Sequence, residues 1–206
     1  ASKGGLILNA VINGITLTLD AHPDMFSPNS PDTGTLAMLS SVEINKGDKL
    51  LDLGCGSGIV GIYAAKLIGA ENVVMTDSSE TAAEFAEKNA EKNGVGGIKI
   101  YCGSAYEKVT ESDFTLILSN PPYHTDFSVA KAFIEGGYHR LIYGGKMVMV
   151  TKRADWYKNK LTSVFGGVKV TELNGYFVFV AEKRVQRKNP PQKEKNKLSK
   201  KLLRKY

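Results

Sequence analysis

The chain has 206 residues, of which 42% are hydrophobic and 23% charged, and a net charge of +6; these values are typical of one globular domain with short extensions. Its longest apolar runs are too short to cross a bilayer, and its first ten residues lack the basic segment and apolar core of a secretory signal. The two cysteines, Cys55 and Cys102, belong to no CxxC pair or Cys/His cluster, so we expect no metal site and a cytoplasmic protein.

The first 35 residues are predicted to form a hairpin followed by a loop. Two β-prone segments within residues 6–19 flank Asn13-Gly14, a dipeptide that supplies the two positive-φ positions of a type I′ turn. Residues 20–35, "DAHPDMFSPNSPDTGT", are rich in Pro, Ser, Asp and Gly, which predicts a loop throughout. We expect residues 1–35 to cover the cleft of the domain that follows.

From Lys49 onward, short apolar strands alternate with helices. Strands are predicted at 49–54, 72–77, 98–101, 114–120 and 145–150, and helices at 58–69, 78–94, 127–142 and 154–166. Gly136-Gly137 should weaken the third of these helices. A second hairpin over 168–183 turns at Asn174-Gly175.

This alternation is typical of the α/β class. It predicts a doubly wound, mostly parallel, seven-stranded Rossmann-like sheet over residues 36–183, to which the C-terminal hairpin adds antiparallel edge strands. The short N-terminal hairpin lies outside this sheet.

The last segment, residues 184–206, is strongly basic. From Glu182 to Tyr206 there are eight Lys and three Arg against two Glu, so the remainder of the chain has a small excess of acidic side chains. This concentration of positive charge is expected of a segment that binds the phosphate backbone of nucleic acid. The alternative is a tail that only increases solubility.

A glycine-rich stretch, "LLDLGCGSGIVG" (50–61), joins the first strand of the domain to its helix. Gly54, Gly56 and Gly58 allow the backbone to turn sharply and to approach a ligand, with helix N–H groups directed at it. The spacing from Gly56 to Gly61 fits the dinucleotide pattern GxGxxG, and Asp77, at the end of the next strand, suits a carboxylate on ribose hydroxyls. A nucleoside-containing cofactor is therefore predicted, and NAD and S-adenosylmethionine both qualify.

Asp52, on the strand just before the glycines, favours S-adenosylmethionine. Its charge would face the anionic pyrophosphate of NAD unfavourably, whereas it would stabilise a cofactor with sulfonium and ammonium groups. The stretch "DLGCGSG" also resembles the cofactor motif of class I methyltransferases. The alternative is a tight strand-to-helix turn without a ligand, with Asp77 as a helix cap.

A second unusual stretch, "LILSNPPYH" (116–124), ends the fourth strand in Asn120, Pro121, Pro122 and Tyr123. The prolines fix a stiff, non-helical corner that lacks N–H donors and leaves carbonyl acceptors at the edge of the sheet where ligands collect. The side-chain oxygen of Asn120 adds an acceptor, and Tyr123 offers a flat face for stacking. This corner would hold a planar amino group and orient its lone pair toward an electrophile. A rigid strand-exit turn is the alternative.

"NPPY" resembles the signature of methyltransferases that modify amino groups conjugated to a π system, in which the Asn and the following carbonyl hold the target amine. The longer "SNPPYH" is similar to the "SNPPFH" of the methyltransferase small-domain family, whose best-known members are RsmC-type ribosomal RNA guanine-N2 methyltransferases. "MFSPNSPDTGT" (25–35) resembles that family's "FS…LD.GS" lead-in. The resemblance covers about residues 24–183.

The resemblance implies a set of site residues. The cofactor would contact Asp52, Gly54, Gly56, Gly58, the passive Cys55, Asp77, Ser78, Ser104 and Asn120. The catalytic corner would consist of Asn120, Pro121, Pro122 and Tyr123, and substrate would contact Phe26 and His124, although His124 could instead only shape the loop. Three departures from the family pattern are Tyr123 for Phe, Thr35 for Ser, and Ser104 where an acidic residue usually lies near the adenine.

We interpret the chain as an S-adenosylmethionine-dependent methyltransferase that modifies an exocyclic amine of a nucleobase in RNA, namely guanine N2 of ribosomal RNA. The base would have to leave its stack to reach the corner. The alternatives are methylation of adenine N6 or of a protein glutamine, and an RNA-binding ribosome-assembly factor without turnover. A dehydrogenase is the least favoured class.

Overall fold

The computed structural model describes residues 6–22, 32–122 and 126–185. The elements within these ranges are β1 (Leu6–Ile12), β2 (Ile15–Ala21), α1 (Thr33–Ser40), β3 (Leu50–Leu53), α2 (Ile59–Ile68), a 3-10 turn (Ala70–Asn72), β4 (Val73–Asp77), α3 (Glu80–Lys92), β5 (Lys99–Cys102), β6 (Phe114–Ser119), α4 (Phe127–Arg140), β7 (Leu141–Thr151), α5 (Ala154–Phe165), β8 (Lys169–Leu173) and β9 (Tyr176–Glu182). Among these helices, none has both the length and the apolar character needed to span a membrane.

Strands β3 to β9 form one seven-stranded sheet in the order β5-β4-β3-β6-β7-β9-β8. The pairs β3/β4, β3/β6, β4/β5 and β6/β7 are parallel, whereas β9 runs antiparallel to both β7 and β8. The predicted α/β, mostly parallel fold is confirmed. In the terminal hairpin the second strand, β9, pairs with β7 and lies inside the sheet, whereas the first strand, β8, forms the edge.

Both faces of the sheet are covered, and all four residues of β3, three of them leucines, are buried. One core cluster packs the N-terminal hairpin, α1, α2 and α3 against the sheet, around side chains such as Leu17, Met38 and Met75. The other packs α4 and α5 against the opposite face, around Phe133 and Leu161.

The N-terminal hairpin pairs β1 with β2 in antiparallel register and turns at Asn13 and Gly14, which have φ of 47° and 79°. This is the predicted turn. The second strand, β2, packs on α3. There the buried side-chain amides of Asn89 and Asn93 form the backbone hydrogen bonds along the outer edge of β2 that a neighbouring strand would otherwise form. Asn89 accepts from Asp20 N at 2.7 Å and donates to Asp20 O at 2.8 Å, and Asn93 forms the equivalent pair of bonds with Thr18.

Two expectations about element boundaries are wrong. The loop expected throughout 20–35 is not one, because β2 extends to Ala21 and α1 begins at Thr33, capped by Asp32, whose Oδ1 accepts from Gly34 N at 3.0 Å. Residues 23–31 lie outside the described residues. The strand expected at 145–150 starts earlier, at Leu141, immediately after α4 ends.

The glycine pair in α4 has a packing role that the sequence did not reveal. A Cβ atom at Gly136 would lie 2.5 Å from the ring of Tyr106, and one at Gly137 would lie 2.8 Å from its hydroxyl oxygen. That hydroxyl donates to Phe133 O at 2.7 Å. The helix tolerates two glycines because their missing side chains create the space that the tyrosine fills.

Candidate active site

A cavity of about 440 Å³ opens at the carboxyl edge of the parallel sheet, where β3, β4, β5 and β6 end. Ligands of open α/β folds bind at this edge. The cavity brings together nine of the predicted site residues: Asp52, Gly54, Cys55, Gly56, Asp77, Ser78, Ser104, Asn120 and Pro122.

The glycine turn forms one wall of the cavity. Gly54, Gly56 and Gly58 have φ of 73°, 55° and 89°, a region that glycine adopts without strain. The turn is fixed to β4 because the N–H groups of Gly54 and Cys55 both donate to Thr76 O, at 2.9 and 3.0 Å. Gly58 does not line the cavity; it permits close packing, since a Cβ there would lie 3.3 Å from atoms of Ala86, Ile62 and Met75.

Asp52 is a carboxylate at the floor of the cavity with only 3% of its surface exposed. Its Oδ2 accepts from Gly61 N at 2.8 Å, in the first turn of α2. Burial raises the pKa of Asp52 from its ordinary value of 3.8 to about 7; the Gly61 hydrogen bond opposes this rise and the nearby charge of Asp77 adds to it. The positive charge of a bound cationic ligand would therefore favour the ionised form of Asp52.

Asp77 lies at the carboxyl end of β4 and connects two segments of the cavity wall. Its Oδ2 accepts from Gly56 N and its Oδ1 from Ser79 N, both at 2.9 Å. Ser79, rather than Ser78, caps α3, because its hydroxyl accepts from Ala82 N at 3.3 Å. Each carboxylate oxygen has further lone pairs, so Asp77 can orient the glycine turn and still accept hydrogen bonds from a ligand.

The far wall of the cavity follows β5. Ser104 and Ala105 line it, and Gly103 N donates to Asp77 O at 2.9 Å. Ser104 is thus part of the cavity wall, and its contact with the adenine stays a prediction. Cys55 is buried, and its burial, together with the charges of Asp52 and Asp77, raises the pKa of its thiol, so that it is a neutral, passive part of the wall.

The Asn-Pro corner begins where β6 ends. Ser119, which is buried, donates through its hydroxyl to Leu53 O at 2.8 Å and so ties the end of β6 to the end of β3 beside the glycine turn. Asn120 follows, and its Nδ2 donates to Asp32 Oδ2 at 2.6 Å and to Thr35 Oγ1 at 3.1 Å. Pro121 is buried, whereas Pro122 is exposed and lines the cavity. The corner and the glycine turn thus share one cavity.

Sequence reasoning missed Asp32 and Thr35 as members of this site. Both line the cavity, and Asp32 Oδ1 also accepts from the Tyr176 hydroxyl at 3.2 Å. The signal was present in the "PDTGT" lead-in, where Thr35 retains the hydroxyl of the family's Ser. The composition of this stretch predicts only a covering loop, because nothing in the sequence connects it with Asn120.

The cavity wall includes a buried hydroxyl that lacks a partner, and no metal-binding group was found near it or elsewhere in the described ranges. Thr76, 1% exposed, is the one residue in 6–22, 32–122 and 126–185 with a buried side-chain oxygen or nitrogen that lacks a hydrogen-bond partner, and it lines the cavity. Within the same ranges, no group of three or more His, Cys, Asp or Glu side chains could hold a metal ion. The predicted residues Phe26, Tyr123 and His124 lie outside the described residues.

The sheet order and the shared cavity define an α/β protein of the Rossmann-like methyltransferase class, and comparisons with known proteins agree. A model of the methyltransferase small domain matches residues 16–180, so the chain belongs to the methyltransferase small-domain family. The chain is 31% identical over 165 residues to ribosomal RNA small subunit methyltransferase C of Serratia proteamaculans, covering 78% of this chain and 47% of that protein. The Haemophilus influenzae (strain PittEE) protein of the same name is 37% identical over 166 residues, covering 78% and 49%.

A solved structure with the same fold is that of the Thermus thermophilus 16S rRNA N2 G1207 methyltransferase RsmC, in complex with AdoMet and guanosine. It superposes with a TM-score of 0.80 and 27% identity, covering 86% of this chain and 50% of that one. A methyltransferase from Pyrococcus furiosus shares the fold, with a TM-score of 0.70 at 20% identity over 82% of this chain and 90% of that one. The chain spans about half the length of the curated relatives that it matches.

Proposed function

We propose that this chain is an S-adenosylmethionine-dependent methyltransferase that modifies the exocyclic N2 amine of guanine in ribosomal RNA. The observation that carries the proposal is the position of Asn120: its amide lines the same cavity as the glycine turn and is held in one orientation by Asp32 and Thr35. Because an ionised carboxylate can only accept hydrogen bonds, the atom of Asn120 that faces Asp32 is its nitrogen. The amide oxygen, which carries two lone pairs, is the atom to which we assign the hydrogen bond from the substrate amine.

The residues of the cavity suit S-adenosylmethionine. The buried Asp52 would be compensated by a cationic ligand, and the Thr76 hydroxyl would gain the partner that it lacks among the described residues. Asp52 and the glycine turn would hold the amino-acid end of the cofactor, Asp77 the ribose hydroxyls, and Ser104 and Ala105 the adenine side. When bound, the cofactor supplies a methyl group that its sulfonium makes electrophilic.

The chain's own residues would then position the nucleophile. Asn120 Oδ1 would accept one hydrogen of the planar amine, which would turn the lone pair of the amine toward the methyl carbon. The family resemblance assigns the second hydrogen to the carbonyl of Pro121, a buried residue that is not among those lining the cavity. The amine nitrogen would then face the methyl group that the cofactor supplies, and after methylation it would release one proton to solvent. Asp32 strengthens this arrangement because its negative charge polarises the Asn120 amide and increases the negative charge on Oδ1.

RNA as the substrate is supported by the names of the relatives and by the basic segment 184–206. The RsmC structure contains guanosine, and the curated relatives are named as ribosomal RNA methyltransferases. The substrate would be naked ribosomal RNA or an assembling ribosomal subunit, and such a protein would act in the cytoplasm.

The test is transfer of tritiated methyl groups to ribosomal RNA by the wild-type protein and by Asn120→Ala. We expect the variant to lose at least about a hundredfold in rate while it retains cofactor binding by calorimetry, because only the amine loses its acceptor. Asn72→Ala is the control, since Asn72 bonds only locally to Ile68 O, at 2.7 Å. An Asn120→Ala protein with full activity would falsify the mechanism.

Nucleoside analysis of the methylated RNA identifies the acceptor atom. N2-methylguanine supports the proposal. N6-methyladenine would mean that the same site acts on adenine instead of guanine. A protein that binds RNA and cofactor but transfers no methyl group in a single-turnover assay, on either naked or assembled RNA, would instead be a ribosome-assembly factor.

A further inference from the structure

Two exposed basic side chains lie beside the candidate catalytic corner and are not explained by the cofactor site. Lys152 and Arg153 follow directly after β7, which ends at Thr151, at the same edge of the sheet where β6 ends at Ser119. In the β6/β7 register Ser119 pairs with Met149, so β7 carries the two cations past the end of β6. They therefore lie on the side of the molecule where the cavity opens.

A short chain of contacts joins Lys152 to the corner. Its Nζ lies 5.0 Å from the centre of the Tyr176 ring, and the hydroxyl of that ring donates to Asp32. Asp32 in turn accepts from the Asn120 amide. One aromatic ring and one carboxylate thus separate this exposed ammonium from the residue that would hold the target amine.

Arg153 rests on a pair of stacked aromatic rings. Its guanidinium carbon lies 5.1 Å from the centre of the Phe127 ring, which stacks on Trp156 at 4.4 Å between centroids and 12° between planes. Phe127 is the first residue of α4, the helix that follows the Asn-Pro corner. A guanidinium that lies over a ring keeps the N–H groups at its edge available to bind an anion.

Neither cation forms an ion pair with a carboxylate of residues 6–22, 32–122 or 126–185, in contrast to Lys92 and Lys160, which pair with Asp20 and Glu135. The acidic residue closest in sequence to Arg153 is Asp155, in the first turn of α5, and no ion pair joins the two. Asp126, next to Phe127, caps α4 by accepting from Ser128 N at 2.9 Å. Both Lys152 and Arg153 are exposed to solvent.

We propose that Lys152 and Arg153 form a binding site for the phosphodiester backbone of RNA next to the target nucleotide. This inference rests on the proposed function and specifies how its substrate is held. A nucleotide whose base enters the corner presents its flanking phosphates at the rim of the cavity, where two cations on rigid aromatic supports would fix the register of the strand. Contact with phosphate, rather than with base edges, makes the site indifferent to sequence.

The experiment measures binding of a short, fluorescein-labelled single-stranded RNA by anisotropy over a series of salt concentrations, with the full-length chain. We expect the double variant Lys152→Gln/Arg153→Gln to bind about tenfold more weakly at low salt. Its log–log salt slope should be smaller by about 1.4, because each phosphate that a cation neutralises on a single strand contributes about 0.7 to the slope. Lys66→Gln/Lys88→Gln is the matched control, because both lysines are exposed and Lys88 also lies over a ring, that of Phe85, at 5.7 Å.

The outcomes separate this site from the proposed function. If the wild-type protein binds and methylates RNA but the Lys152/Arg153 variant shows the wild-type slope, the phosphate site is wrong and the methyltransferase function remains. If the wild-type protein shows no salt-dependent affinity for RNA, the proposed RNA substrate itself fails. Unchanged cofactor binding by calorimetry and an unchanged melting temperature show that the variant is folded. If the salt slope falls equally in Lys152→Gln/Arg153→Gln and in the control Lys66→Gln/Lys88→Gln, the effect comes from net charge alone, and the proposed phosphate site is also wrong.

Discussion

The amide nitrogen of Asn120 donates a 2.6 Å hydrogen bond to a carboxylate oxygen of Asp32, a residue 88 positions earlier in the chain. The other oxygen of Asp32 is held by the Gly34 N–H and the Tyr176 hydroxyl. Asp32 is therefore fixed by α1 and β9 and in turn fixes an asparagine at the end of β6. The orientation of the candidate catalytic amide depends on three elements that are distant in sequence.

Loss of this carboxylate should reduce methyl transfer more than cofactor binding. We expect Asp32→Ala to lower kcat by about a hundredfold, because the amide of Asn120 loses its orientation, and to change the cofactor Kd by less than about threefold. Rates with ribosomal RNA and calorimetric titrations with the cofactor measure the two effects. Tyr176→Phe removes a bond to the same carboxylate but leaves the Asn120 contact intact, so its effect on kcat should be much smaller; equal losses in both variants would contradict the positioning role.

Cofactor affinity should depend on the ionisation of Asp52. With a pKa of about 7 in the free protein, the carboxyl is neutral at pH 6 and ionised at pH 8. Binding of a cation favours the ionised form, so affinity should increase as the pH rises through 7 and then level off, and binding at pH 6 should release a proton. Calorimetry in buffers with different ionisation enthalpies measures that proton. The same titrations with Asp52→Asn should show no proton release and weaker binding at pH 8.

Without cofactor, the stability of the protein should fall as the pH rises, the opposite of the trend in cofactor affinity. Because the pKa of Asp52 is raised in the folded state, its neutral form stabilises the fold below pH 4, and this contribution is lost as the pH rises from about 4 to 7. Asp52→Asn keeps an acceptor for the Gly61 N–H and removes the cost of a buried charge. Without cofactor, we expect it to be more stable than the wild type at pH 8, by up to about 4 kcal/mol, and nearly equal at pH 4. Thermal melts in which Asp52→Asn is less stable than the wild type at pH 8 would contradict the raised pKa of Asp52.

The amide of Asn89 should contribute strongly to stability. It is 0% exposed and forms bonds to both backbone groups of Asp20 and to Ser57 O. Asn89→Ala leaves these partly buried backbone groups without partners, so we expect a loss of about 1–3 kcal/mol in the free energy of unfolding. Urea denaturation measures the loss. Asn9→Ala, which removes only an exposed bond with the Thr18 hydroxyl, is the control and should cost much less.

Removal of the basic tail should affect RNA binding without affecting the cofactor. The described chain ends at residue 185, beyond β9, where Lys183 N donates to Gly145 O near the start of β7, at the edge of the sheet opposite the cavity. Truncation after residue 185 should lower RNA affinity and its salt slope and leave the cofactor Kd unchanged. Unchanged RNA binding would support the solubilising alternative. A tail of scrambled sequence and identical composition should restore affinity if charge alone acts.

The sequence predicted the elements whose causes are local. Asn13-Gly14 and Asn174-Gly175 specify their hairpins, and the glycine turn is visible because positive φ demands glycine at 54, 56 and 58. Most helix and strand boundaries lie within two residues of the prediction. The strand-to-helix alternation predicted the parallel sheet, and with it the edge at which the cavity opens.

What the sequence did not reveal depends on contacts between distant segments. Helix α1 is short and follows a stretch rich in Pro and Ser, so its Asp32 cap resembled one more loop residue. Gly136-Gly137 looked like a weakness because the Tyr106 ring that requires them comes from another part of the chain. The use of Asn89 and Asn93 in place of a neighbouring strand has no local signature either.

The bonds between Asn89 and β2 also affect how the protein is made. They join residues 69 positions apart, and the same amide reaches Ser57 in the glycine turn. On the ribosome β1 and β2 emerge before α3, so the outer edge of β2 finds no partner until that helix has been synthesised. We therefore expect the nascent hairpin to dock late, so that β2 and the glycine turn reach their final arrangement in a single step.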